Sequence, residues 1–323
     1  MKKALITGIS GQDGSYLAEL LLAKNYKVEG TTTGEGNEAS NRIGHLTDKI
    51  VSHVCDVRDR SKLFRLIEEQ MPDEVYHLAS LVEPRVLFEK EAEIFEVNFS
   101  STHHLLQAIK THVPKAKFFL ASSSMVFGNP QTAPQNENTP LRPTTPYGIA
   151  KAASQQMVQM YREIHGVYAC SGILYNHESP RRDFHFLPRK ITFGAAQIKA
   201  GVLRELMLGD LDTRRDWGFA GDYVEAMWLM LQDSVPEDYV LGTGETHSIR
   251  DLLEIAFGYF DLDWRQYVKS DPQLFRKGDV TINLVPDISK IKNRLHWAPK
   301  HSFKQLIELM AQEDAKIVGV GIK

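Results

Sequence analysis

The chain has 323 residues, of which 42% are hydrophobic and 24% charged, and a formal net charge of −3 at pH 7. These values are those of a water-soluble globular protein with ample core, folded as one large domain or two moderate ones. The negative balance argues against a general nucleic-acid or membrane surface, so an anionic substrate would need local clusters of Arg and Lys. No run of 18 apolar residues is present, and the apolar run at the N-terminus is too short for a signal peptide.

In chain order, residues 3–7 predict a strand, followed by a loop with Gly8, Gly11 and Gly14 and a helix over 13–24 with Leu17, Leu20 and Leu21 on one face. Further strands are predicted over 26–31, 50–55, 74–78, 117–122 and 168–174, separated by helical patterns. The long helices are predicted over 88–111 and 147–165. This alternation predicts an α/β fold, a Rossmann-type doubly wound parallel sheet. After Tyr175 the pattern is less regular: a loop over 209–215, an apolar helix over 222–231 able to pack back on the sheet, and helices over 248–260 and 303–312. The expected division is a cofactor-binding domain over 1–175, to which segments near 213–235 return, and a smaller C-terminal α/β substrate lobe over 176–323. Cys55 and Cys170 lie in strand-like apolar runs with neither zinc nor disulfide spacing, which points to reduced thiols and a cytoplasmic protein.

The segment from Gly8 to Gly14, with Gln12 and Asp13 inside it, follows a strand and opens a helix. Glycines there let the backbone approach a pyrophosphate that rests on the helix N-terminus. After the third strand, Asp56 and Val57 stand where a carboxylate can accept from an adenine amino group; a helix N-cap is the other reading of Asp56. Leu78, Ala79 and Ser80 leave the fourth strand on the same edge. The second strand ends in Gly30-Thr31-Thr32-Thr33-Gly34-Glu35, without the cation that a 2′-phosphate needs, so NAD is favoured. NADP stays possible through Arg42.

Tyr147 and Lys151 stand one helical turn apart on one face, just after Ser122, Ser123 and Ser124. The ammonium can depress the phenol's pKa, so that a phenolate takes a hydroxyl proton near neutral pH. With a dinucleotide loop upstream, this pair points to hydride transfer to or from a carbinol. A surface Tyr and Lys on a helix is the plain alternative.

The stretches GISGQDGSYLAELLL from Gly8, NHESPRR from Asn176 and RRDWGFAGDYVEAMWLML from Arg214 resemble the GDP-mannose 4,6-dehydratases, as does ETHSIR from Glu245. The resemblance covers nearly the whole chain. It implies a GDP-linked sugar held between two lobes, NAD(P) reduced and reoxidised within one turnover, and a homodimer or homotetramer. It further implies that Tyr147 is the base at the C4 hydroxyl and that Lys151 lowers its pKa and holds the nicotinamide ribose. His177 and Arg182 match cofactor-touching positions. Asn176, Lys190, Arg215 and Arg276 match positions that hold the diphosphate, and Asp279 falls at a ribose-binding position. Arg clamps suit a diphosphate on a chain of negative charge.

Two departures bear on the reaction. Ser123 replaces the family's catalytic Thr and keeps a hydroxyl, whereas Met125 replaces the Glu that takes the C5 proton and helps expel water. Methionine cannot act as an acid or base. Glu83 brings a carboxylate near the expected sugar, either as a relocated acid/base or as a rim charge beside Arg85. The first reading is C4 oxidation followed by redox or epimerase chemistry without elimination. A 4,6-dehydratase using Glu83 is the close alternative, and an idle nucleotide-sugar binder is a third.

Overall fold

The computed structural model describes residues 1–34, 42–82, 88–274 and 284–321. Strands β1 (Lys3–Thr7), β2 (Lys27–Thr32), β3 (Ile50–Val54), β4 (Glu74–His77), β5 (Lys117–Ser123) and β6 (Ala169–Leu174) form a parallel sheet. A seventh strand from the C-terminal half, Tyr239–Leu241, closes one edge by pairing with β6. Its order, with that strand first, is then β6, β5, β4, β1, β2, β3. This is the doubly wound order, and ligands to such sheets bind at the carboxyl ends of the strands.

Alternate residues of each strand bury on opposite faces. Ala4 and Ile6 of β1, with Tyr76 and Phe119, face the helices α1 (Gln12–Ala23) and, from far along the chain, Ala220–Gln232. Leu5, Val75, Phe118 and Leu120 face α2 (Arg60–Gln70), α3 (residues 91–112) and α4 (Pro146–His165). Because both faces are covered, the central strands β1 and β5 carry apolar runs. Helix α3 is built from Glu91–Phe95, a π-helical turn Glu96–Ser100 and Ser101–His112, where an unbroken helix over 88–111 was expected.

Beyond β6 come β7 (Asn176–Glu178), α5 (Leu187–Lys199), β8 (Leu206–Leu208), β9 (Arg214–Arg215), β10 (Trp217–Phe219) and α6 (Ala220–Gln232). The closing edge strand is β11, followed by β12 (His247–Ser248), α7 (Ile249–Gly258), β13 (Val268–Ser270), α8 (Ser289–Leu295) and α9 (Phe303–Val318). Residues 214 and 215, expected in a loop, pair antiparallel with β12, a two-residue ladder too short to show a period. Helices α5, α7 and α9 share a second core with Trp217, Leu253, Phe257 and Ile307. Inside it Arg189 is an ion pair with Asp314, Nε donating to Oδ1 at 2.7 Å, and the Thr192 hydroxyl donates to Oδ2 at 2.6 Å. Cys55 and Cys170 are buried free thiols. Among the described residues, no helix is long and apolar enough to cross a membrane.

Candidate active site

The glycine loop is shaped by close approach. Gly8 has φ +72°, and its N–H and that of Ile9 both donate to the Thr31 carbonyl at 3.2 Å, which fastens the loop to the end of β2. A Cβ on Gly14 would lie 2.3 Å from the Gly8 oxygen and 2.7 Å from the Ile9 Cα, so only glycine lets α1 sit this near its own loop. Gly11 caps α1 without a side-chain acceptor, which leaves the first-turn N–H groups of Gln12, Asp13 and Gly14 to an outside anion. The loop therefore fits a dinucleotide pyrophosphate. The N–H groups of Leu78 and Ala79 donate to the Thr7 hydroxyl at 3.2 and 3.1 Å, setting the end of β4 against this cradle.

Val57 is buried, and Asp56 is clasped by its neighbour, accepting from Arg58 Nε and Nη2 at 3.0 and 2.6 Å. That bond, opposed by partial burial, holds the Asp56 carboxyl below its ordinary range. Asp59, not Asp56, is the N-cap of α2 and accepts from the Lys62 N–H.

At the next strand ends, Ser123 closes β5 and its hydroxyl accepts from the Met125 N–H at 3.2 Å. Helix α4 opens on Thr145, whose hydroxyl accepts from the Gly148 N–H, and on Pro146. That start places Tyr147 in the first turn and Lys151 in the second. The Lys151 Nζ lies 5.7 Å from the Tyr147 ring centroid and donates to the Ala121 carbonyl at 2.9 Å. Lys151 is 1% exposed, and burial takes its pKa down to about 7. Burial also raises the Tyr147 phenol, opposed by hydrogen bonds with Ser80 and Ser123 and by the charge of Arg182. A depression of the phenol by Lys151 was expected from the spacing; in this geometry desolvation dominates, because the same burial that brings the pair together disfavours both charged forms.

One residue of this cluster was not foreseen. Asn98, fully buried in the π turn, accepts from the Ser80 hydroxyl at 2.7 Å and donates to the carbonyls of Leu81 and Ile94 at 3.0 Å. Its own carbonyl accepts from Ser154 Oγ of α4 at 2.7 Å. Asn98 thus fixes Ser80, and α4 behind it, against the phenol. In sequence Asn98 is one of several polar residues, with Glu96, Ser100 and Ser101 close by, and nothing local sets it apart.

The segment after β6 is stapled to α1. His177 Nδ1 faces the Tyr175 carbonyl and Nε2 faces Asp13 Oδ2, each at 2.8 Å. Both partners can accept, an arrangement that favours the doubly protonated ring. Burial opposes both charges, but the pairing outweighs it: His177 is raised and Asp13 lowered. The ring stacks on Tyr223 at 4.7 Å. Gln12 Nε2 donates to the His177 carbonyl at 3.1 Å, and Ser179 Oγ donates to Gln12 Oε1 at 2.8 Å. Arg182 Nε is 3.3 Å from buried Glu178 Oε2, and its guanidinium lies 3.5 Å over Phe186.

Ser123, Tyr147, Lys151 and Ser80 therefore converge on one edge of the sheet, with Asp13, Gln12 and His177 at the glycine cradle. Asn176 is exposed on β7. Lys190 lies on α5, where it donates to the Met207 carbonyl at 2.7 Å, and Arg215 on β9 donates to the Arg214 carbonyl at 2.8 Å. Glu83, Arg85, Glu35, Arg276 and Asp279 lie outside the described residues.

A doubly wound parallel sheet, a glycine cradle at β1 and α1, and a Ser, Tyr and Lys set at the strand ends define an NAD(P)-dependent enzyme of the short-chain dehydrogenase/reductase type. Comparison with known proteins narrows this. A family model described as GDP-mannose 4,6 dehydratase matches residues 5–310. GDP-mannose 4,6 dehydratase 2 of Arabidopsis thaliana is 44% identical over 328 residues, covering 98% of this chain and 87% of its own. The GDP-mannose 4,6-dehydratase of Vibrio cholerae is 38% identical over 352 residues, covering 98% and 94%. Among solved structures, Thermus thermophilus UDP-glucose 4-epimerase in complex with NAD is 27% identical at a TM-score of 0.84, covering 97% of this chain and 98% of that one. The fold is also that of a Bacillus anthracis dTDP-glucose 4,6-dehydratase, with a TM-score of 0.84 over 98% of this chain and 97% of that one, at 21% identity. The chain belongs to the GDP-mannose 4,6-dehydratase family, and with it to the sugar-nucleotide-modifying enzymes that work through a nicotinamide cofactor.

Proposed function

We propose that this enzyme uses NAD to oxidise C4 of a GDP-mannose-type substrate and completes a C4 redox or epimerase reaction without elimination. The observation that carries this reading is Met125. It stands two residues after Ser123 on the turn Ser124–Phe127, its N–H donating to the Ser123 hydroxyl, and so sits beside the redox set with no titratable group. Of the described carboxylates by the glycine cradle, Asp13 pairs with His177 at 2.8 Å, and Glu178, whose carboxyl is raised by burial, has Arg182 Nε at 3.3 Å.

In this reading the Ser123 hydroxyl binds O4, and Tyr147, set in place by hydrogen bonds with Ser80 and Ser123, is the base at the C4 hydroxyl. Lys151, charged or neutral around pH 7, sets the field at the phenol, and Ser80, held by Asn98, orients it. The bound nicotinamide supplies the acceptor for the C4 hydride. The cofactor pyrophosphate rests on the first turn of α1, with His177 and Arg182 beside it. Asn176, Lys190, Arg215 and Arg276 hold the nucleotide diphosphate, and Asp279 the ribose. Support for GDP as the nucleotide comes from the names of the relatives. Those names also favour a second reading, a 4,6-dehydratase whose acid/base is a carboxylate such as Glu83.

The test is to mix the protein with GDP-mannose and NAD and to follow 340 nm absorbance and product mass. NADH with a product two mass units lighter, or an isomer of unchanged mass, supports the first reading. Loss of one water without net NADH overturns it in favour of the second.

A further inference from the structure

Arg42 is held from three sides. Its Nε donates to the Arg181 carbonyl at 2.7 Å, its Nη1 to the Ser10 carbonyl at 3.4 Å, and its Nη2 is ion-paired with Asp183. Ser10 lies inside the glycine loop, and that loop is fastened to the end of β2 through Thr31. Arg42 is therefore a cation at the corner between the glycine loop and the second strand. In this fold the same corner receives the adenosine ribose, and an Arg there is what accommodates a 2′-phosphate.

The neighbouring cation is committed elsewhere. Arg181 pairs with Glu19 at 2.5 Å, donates to Ser15 Oγ at 3.1 Å and lies 3.9 Å over the Tyr16 ring. Arg42 is thus the cation poised for a phosphate, and Asp183 has already taken it. The Asp183 carboxylate is 44% exposed, so it also presents a negative charge to whatever enters. A 2′-phosphate would have to displace the carboxylate from Arg42 and bear its repulsion; a 2′-hydroxyl meets neither obstacle.

We propose that Asp183, by occupying Arg42, sets the preference of this cradle for NAD over NADP. The inference rests on the NAD reading above and assigns that selectivity to a residue 141 positions from its partner in sequence. Selectivity here is exclusion: the cation needed for NADP is present and neutralised.

The experiment titrates NAD+ and NADP+ separately into the wild type, Asp183→Asn, Asp183→Glu, Arg42→Ala and the Asp183→Asn/Arg42→Ala double variant, with calorimetry giving dissociation constants and no turnover needed. The expected result is NAD+ preference in the wild type and an NADP+ dissociation constant lowered about tenfold or more in Asp183→Asn, with NAD+ affinity changed less than about twofold. Asp183→Glu keeps the charge and is expected to keep the preference. The double variant is expected to lose the gain, which shows that it runs through Arg42. NAD+ binding doubles as the check that each variant is folded. Unchanged NADP+ affinity in Asp183→Asn, or a gain that survives removal of Arg42, overturns the inference while leaving the NAD reading intact. A wild type that already binds NADP+ the more tightly overturns both.

Discussion

Replacing Lys151 by Met removes the ammonium and keeps an unbranched chain of similar length, so it isolates the cost of burying that charge. In the folded protein the Lys151 pKa falls from 10.5 to about 7, through burial. At about 1.36 kcal/mol per unit, the folded state disfavours the ammonium by roughly 5 kcal/mol, an upper figure for this site. The sign follows from proton binding. Between about pH 7 and 10.5 the unfolded chain holds the proton and the folded chain has released it, so stability rises with pH in that window and levels off below it. The wild type minus Lys151→Met difference in unfolding free energy should accordingly rise by about 2 kcal/mol from pH 7.5 to pH 9. Other titrating groups cancel in that difference. Guanidinium unfolding of both proteins without cofactor at a series of pH values measures it. At pH 6.5 the variant should match or exceed the wild type in stability while losing C4 oxidation by a factor of about 10² to 10⁴. A pH-independent difference would refute the reasoning, because it would mean that the buried ammonium keeps an ordinary pKa.

Met125→Glu places a carboxylate two residues from Ser123 on the same turn and is expected to raise elimination from GDP-mannose by about 10² to 10⁴ over the parent, read as a product lighter by one water. Asp13→Asn breaks the His177 pair. His177 is raised, so its share of stability is full below the ordinary histidine pKa and lost as pH climbs through the folded value; lowered Asp13 loses its share as pH falls through its own. The variant should cost about 2 kcal/mol at pH 6 and less at pH 8.5 by chemical unfolding. Gly14→Ala pushes a methyl to 2.3 Å from the Gly8 oxygen, so calorimetry should show NAD+ affinity reduced by about a hundredfold or more, with a stability loss of about 2 kcal/mol.

The sheet and the glycine loop were legible because their signals are local: apolar runs of five to seven residues such as Lys3–Thr7 and Lys117–Ser123, and glycines at a strand-to-helix junction. The Tyr147 and Lys151 spacing was legible for the same reason. What escaped was either too short or too distant. Strand β11 has three residues and β9 has two, and neither length shows a period. The π turn adds one residue to a helix whose hydrophobic pattern barely registers it, so Asn98 was hidden in 88–111. The His177–Asp13 and Arg189–Asp314 pairs join positions 164 and 125 apart, and nothing in either segment alone names its partner. The phenol pKa was misjudged because spacing gives distance between groups and says nothing of the water around them.

The sheet face that carries α1 is completed by residues made late. Tyr223, Met227 and Leu231 of α6, then Ile291 and Trp297, share one core with Ile6, Leu17 and Phe119, and the Trp297 indole donates to the Asp222 carbonyl at 3.0 Å. A ribosome adding 5 to 20 residues per second needs roughly 6 to 24 s to travel from residue 175 to 297. In the early part of that interval, until α6 is made, the apolar face of the nascent sheet, Ile6, Tyr76 and Phe119 included, has only α1 and the residues around Ile43 and Leu46 to cover it. The cofactor half is therefore not a fragment to be expressed alone, and a stop codon before α6 leaves a sticky sheet rather than a smaller enzyme.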